Sequence, residues 1–164
     1  MQGLAEATDK SLDWLATGVE QERTLPDTIS IPRYNARLAA GDGAFNERAE
    51  LLDHIPFTKE FLSRKLGLMT AKDLAILEVK GDSMEPTIGD GDLVIVDQTQ
   101  RAPDDGIIAF ILDDTAYIKR MRRFFDGIEI ISDNKELYSP TLLSRDRFEE
   151  LHIIGRVRWC GHIL

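Results

Sequence analysis

The chain has 164 residues, 43 % of them hydrophobic, and its 29 acidic and 20 basic side chains give a formal charge of −9. This length and composition suit one compact domain with an appendage and exclude an acidic disordered tail. The longest unbroken apolar run, Ile107 to Leu112, has six residues, whereas a spanning helix needs ~20.

No basic-then-apolar signal pattern opens the chain. Cys160 is the only cysteine, which excludes an internal disulfide and a multi-cysteine zinc site; a cytoplasmic protein is expected. The acidic excess runs through both parts of the sequence: 9 acidic against 5 basic groups in residues 1–50, and 20 against 15 in residues 51–164. Nucleic-acid surfaces neutralise phosphates with Lys and Arg, so bulk DNA binding by this polypeptide is not expected. The one basic cluster is Lys119, Arg120, Arg122 and Arg123. Its three arginines read as a solvated face.

Three zones follow in chain order. Residues 1–22 are polar and helix-tolerant, with Leu12, Trp14 and Leu15 as the bulky apolar group before Gly18. Residues 23–45 read as a linker or extended arm, because Pro26 and Pro32 forbid a continuous helix and Gly41 and Gly43 loosen the chain. From about Asn46 to the end the pattern is that of a domain. Thr58 is a plausible N-cap for a short helix carrying Phe61, Leu62 and Leu66, with Gly67 at its end. Six short segments rich in Ile and Val come next: 74–79, 93–96, 107–112, 116–121, 128–131 and 152–159. Gly and Asp turn signals bound them, so the expected fold is mainly β with one or two short helices, preceded by an extended arm.

The most unusual local sequence is Lys80-Gly81-Asp82-Ser83-Met84-Glu85-Pro86-Thr87, set between two apolar strands. Such a turn can present a serine hydroxyl together with backbone N–H groups. By itself it also reads as an ordinary turn in which Ser83 bonds its own backbone. A serine nucleophile needs a base, and His54, His152 and His162 read as surface or rim residues. No metal-ligand spacing occurs, and neither metal nor cofactor is expected. In the strand around Lys119, alternation puts the amine on one face with Tyr117 and Met121. An amine among such neighbours is desolvated, which lowers its pKa from the ordinary ~10.4 and lets it act as a base. A snorkelling strand lysine is the plainer alternative.

The stretch VKGDSMEPTIGDGDLVIVD (Val79–Asp97), followed by AYIKRM (Ala116–Met121), resembles the catalytic core of the LexA and phage CI repressor family of self-cleaving serine peptidases. ISDN (Ile131–Asn134) and IIGRVRW (Ile153–Trp159) are similar to later parts of that domain, and the resemblance covers about residues 46–164. It implies a LexA/signal-peptidase-like β domain with Ser83 as nucleophile and Lys119, 36 positions later, as general base. It further implies an oxyanion site at the backbone N–H groups of Ser83 and Met84. Leu38-Ala39-Ala40-Gly41 resembles the family's cleavage site, so Ala40–Gly41 is the candidate scissile bond.

SLDWLATG (Ser11–Gly18) is similar to the segment that closes a Cro/CI-type helix-turn-helix domain. The chain is therefore expected to be the C-terminal part of a repressor, with operator DNA bound through a reading head largely absent from it. The resemblance also implies a homodimer and, as inducing partner, the RecA–single-stranded DNA filament formed after DNA damage. The closing segment from Ile153 to Leu164 reads as a core strand or an interface strand. Two alternatives stay open: a UmuD-like accessory protein of a translesion polymerase, against which SLDWLATG argues, and a non-cleaving dimerisation module. A signal-peptidase-like enzyme acting on other proteins would need a membrane anchor.

Overall fold

The structure, a computed structural model, describes residues 27–35 and 49–162. In these residues nine strands form one sheet: β1 (Thr28–Asn35), β2 (Glu50–Thr58), β3 (Leu74–Glu78), β4 (Leu93–Asp97), β5 (Gly106–Leu112), β6 (Thr115–Phe124), β7 (Gly127–Ile131), β8 (Thr141–Ser144) and β9 (His152–Gly161). Their order across the sheet is β2-β1-β3-β4-β9-β5-β6-β7-β8. The mainly β expectation holds. No helix among the described residues is long and apolar enough to cross a membrane.

The six segments read as strands all form strands, and the reason is visible in their burial. β3 and β4 are apolar almost without interruption because nearly every position is buried, as expected of strands covered on both faces. Helix α1 (Lys59–Leu66) begins where Thr58 Oγ1 accepts from the Phe61 N–H at 3.1 Å. It ends at Gly67, whose φ of 67° a side chain would disfavour. Leu62 and Leu66 on α1 pack with Ile31, Leu74, Ile76 and Ile95 in one apolar cluster. Two further clusters flank it, one around Met84, Ile88 and Val94, the other around Phe110, Met121 and Ile128.

One placement differs from the sequence reading, and another decides between its two alternatives. The first is the arm: residues 28–35 are extended, as Pro32 requires, but lie inside the sheet. β1 pairs antiparallel with β2 and parallel with β3, and Ile31 is 0 % exposed. A strand with one buried isoleucine amid polar residues has too weak an alternation to announce itself. The second is β9, which lies between β4 and β5 and pairs antiparallel with both. With its backbone engaged on both sides, the closing segment is an inner strand. Trp159 makes edge contacts with Phe57 and Phe61, with centroids at 5.7 and 6.0 Å, which ties β9 to α1. β8 and a 3-10 turn (Arg145–Glu150) complete the far end of the sheet.

Candidate active site

The segment between β3 and β4 carries Ser83. Its ends are closed by backbone bonds from Val79 N–H to Asp92 O at 2.8 Å and from Gly91 N–H to Val79 O at 2.9 Å. Gly81, at φ +85°, makes the sharp exit and donates its N–H to Asp90 Oδ1 at 2.7 Å. Met84 and Ile88, each 1 % exposed, plug both arms of the turn into the core, and Ile88 N–H donates to Met84 O at 2.9 Å. The next residue back, Ser83, is left half-buried at the surface. Among the described residues, the Ser83 and Met84 N–H groups are not used in backbone bonds, unlike that of Glu85, which donates to Asp82 O.

Lys119 stands on β6, paired with Ile108 of β5. Met121 on its face is 1 % exposed, and Tyr117 stacks on Phe110 at 5.6 Å. The amine is half-buried, and burial holds its pKa below the ordinary lysine value, with the Asp82 carboxylate opposing. Nζ donates to Ser132 Oγ at 2.8 Å and lies 5.3 Å from the centre of the Tyr138 ring. The aromatic group over the amine thus comes from the β7–β8 connection.

That connection also grips the serine turn. Asn134 donates its N–H to Ser83 O at 3.1 Å and its Nδ2 to Asp82 O at 3.2 Å, and the Tyr138 hydroxyl donates to Asp82 Oδ1 at 2.6 Å. Asp133 between them receives both arms of the Arg120 guanidinium at 2.8 Å, which holds its carboxyl below the usual range. Arg120 therefore braces this connection, where the sequence reading expects a solvated side chain. Arg122, in keeping with that reading, is exposed and pairs with Glu129.

Ser83 and Lys119 line one cleft of about 530 Å³, walled by Leu77, Val79, Met84, Ile118 and Ile154. Asn35, the last residue of β1, and Leu52 of β2 also line it. The two strands that flank residues 36–48 therefore both reach this cleft. Ala40 and Gly41, and the SLDWLATG segment, lie outside the described residues. None of the three histidines lines the cleft: His54 and His152 are exposed strand residues, and His162 bonds to Asp92. Sequence reasoning missed Ser132, Asn134 and Tyr138 as parts of this site. The run Ile131–Asn134 was visible only as a likeness, since its contacts span 13 to 52 positions, and that of Tyr138 spans 56.

The Peptidase S24-like family matches residues 32–158, from the second half of β1 through most of β9. An uncharacterised HTH-type transcriptional regulator of Haemophilus influenzae is 32 % identical over 98 % of this chain and 77 % of its own length. A 26 kDa repressor protein of Escherichia phage HK022 is 31 % identical over 80 % of this chain, and the match covers 57 % of that protein. The LexA repressor of Acidothermus cellulolyticus is 32 % identical over 80 % of this chain and 43 % of its own length. The chain thus spans about half the length of these two repressors. It belongs to the S24-like peptidases, in the group formed by LexA and the phage repressors.

Proposed function

We propose that this chain is the peptidase part of a LexA/CI-like transcriptional repressor that cuts its own Ala40–Gly41 bond with a Ser83–Lys119 dyad. The observation that carries the reading is the shared cleft: serine, a half-buried lysine and the flanking ends of residues 36–48 border one space. From Asn35, which lines the cleft, to Ala40 the chain can reach at most ~17 Å.

Neutral Lys119 takes the Ser83 proton, and Ser83 Oγ attacks the Ala40 carbonyl. The N–H groups of Ser83 and Met84 are the oxyanion donors. The acyl-enzyme on Ser83 forms as the amine of Gly41 leaves with a proton, and water then releases the Ala40 carboxylate. Because the substrate is part of the same chain, little association entropy is lost. Control resides in how often residues around Ala40 occupy the cleft, and an effector that stabilises that arrangement raises the rate in proportion to its population. The RecA–single-stranded DNA filament is the effector this reading calls for, with cleavage relieving repression after DNA damage. The match to the Haemophilus regulator across 98 % of the chain supports the repressor reading over a polymerase accessory role. Its partners in this reading are a second copy of the chain and operator DNA, the latter through a helix-turn-helix domain largely absent from this polypeptide.

Intact mass, followed across pH 7 to 10, tests the proposal. We expect two fragments joined at Ala40–Gly41, formed faster as pH rises, and a loss of about 10⁴-fold or more in Ser83→Ala and in Lys119→Ala. An uncut chain throughout, or continued cutting by Ser83→Ala, would overturn it.

A further inference from the structure

The end of β9 brings together three side chains that play no part in the cleft. In the β4–β9 ladder Leu93 pairs with Gly161 and Val94 with Cys160, so Asp92 and His162 stand at the adjoining position. Asp92 is 3 % exposed. Its Oδ2 lies 2.7 Å from His162 Nδ1 and 3.5 Å from Cys160 Sγ, and the ligand atoms of all three residues fall within 4.8 Å of one another. The same oxygen accepts from the Gly89 N–H at 2.7 Å.

We propose that Asp92, Cys160 and His162 form a binding site for one Zn²⁺ ion, with water completing a tetrahedron. The donor set, one thiolate, one imidazole and one carboxylate, is the mixed type that Zn²⁺ accepts and that hard cations such as Mg²⁺ do not. The two separations measured from Asp92 can be compared with such a site. With Zn–S of ~2.3 Å and Zn–N or Zn–O of ~2.0 Å, tetrahedral ligand atoms stand about 3.3–3.6 Å apart. The Asp92–Cys160 separation already has that value. The Asp92–His162 separation must open by about half an ångström, which the side chain of His162, 58 % exposed, can supply by turning. That exposure also gives the ion a path from solvent and leaves the fourth position facing water. An aspartate bonded only to a histidine would form a surface staple, but here the sole cysteine of the chain converges on the same carboxylate oxygen from inside the sheet.

Binding exchanges the Asp92–His162 hydrogen bond for bonds from Oδ2, Sγ and Nδ1 to the ion, with the thiol proton released to solvent and the Nδ1 proton passing through solvent to Nε2, which leaves a neutral imidazole. The ion would fasten the last strand to the Gly89–Asp92 turn, which is the return arm of the segment carrying Ser83. This site does not depend on the peptidase reading.

The test is a Co²⁺ titration of the chelator-treated, reduced full chain. We expect saturation at one equivalent, a near-ultraviolet thiolate-to-cobalt band with intense visible bands of a tetrahedral site, and their loss on adding Zn²⁺. Because Cys160 is the only cysteine, Cys160→Ser should abolish the near-ultraviolet band. His162→Gln, which changes an exposed side chain, should weaken Co²⁺ binding about 10-fold or more, and Zn²⁺ should raise the Tm of the unaltered chain more than that of either variant. Pale octahedral spectra without saturation, or equal affinity in His162→Gln, would overturn the proposal.

Discussion

The two sides of the cleft are built in different ways. The serine side takes its shape locally: a single connection between neighbouring strands, closed by its own backbone bonds and pinned by Met84 and Ile88. The lysine side is assembled from afar. Lys119 rides on β6, but its hydroxyl acceptor, its aromatic cover and the hold on the serine turn all come from residues 132–138. The first arrangement stores position in packing, which resists change cooperatively. The second stores it in a handful of polar bonds, each worth only about 1 kcal/mol net. The serine side should therefore fail through stability, and the lysine side through geometry at intact stability.

Three substitutions break or sharpen that contrast. Met84→Ala removes a fully buried anchor and should cost about 3 kcal/mol by chemical denaturation, with cleavage lost as the turn loosens. Asn134→Ala removes one side-chain bond to Asp82 O, yet it should slow self-cleavage about 10- to 100-fold, because a small misplacement of the serine is felt in the rate. Its Tm should stay within a few degrees of the unaltered chain. Arg120→Gln should cost about 1 kcal/mol, at the low end for charged hydrogen bonds because the guanidinium is half-exposed. The sign of its pH dependence is fixed by Asp133. Arg120 holds that carboxyl below its ordinary range, so the contribution is present above ~pH 3.9 and lost as pH falls through the lowered folded value. Acid titration of the variant's stability should lack that step.

The same contrast explains what the sequence made legible. The turn at Ser83 could be read because its causes are local: Gly81 for the left-handed exit, apolar runs on both sides, Met84 and Ile88 spaced to face the core. Helix α1 could be read for the same reason, since Thr58 and Gly67 cap it directly. Lys119 was half legible. Alternation gave its face and its burial beside Met121, but Tyr138, not Tyr117, covers the amine. Ser132, Asn134 and the Arg120–Asp133 brace could not be found from local pattern, because register between β6 and β7 decides who meets whom. β1 was misread as an arm outside the domain because its place is fixed by pairing with β2 and β3, while Pro32 and a polar composition hide the alternation. The Asp92–Cys160–His162 cluster escaped likewise, for Asp92 is 68 positions from its nearer partner.

The account stands on Lys119 being a base made available by burial, and the pH–rate profile of self-cleavage tests it most directly. For the unaltered chain the rate should rise to a plateau with a midpoint below the ~10.4 of an ordinary lysine. In Asp82→Asn, which removes the one charge that favours the ammonium while keeping an acceptor for Tyr138, the midpoint should move to lower pH still. A midpoint at the ordinary lysine value, unmoved by Asp82→Asn, would contradict it.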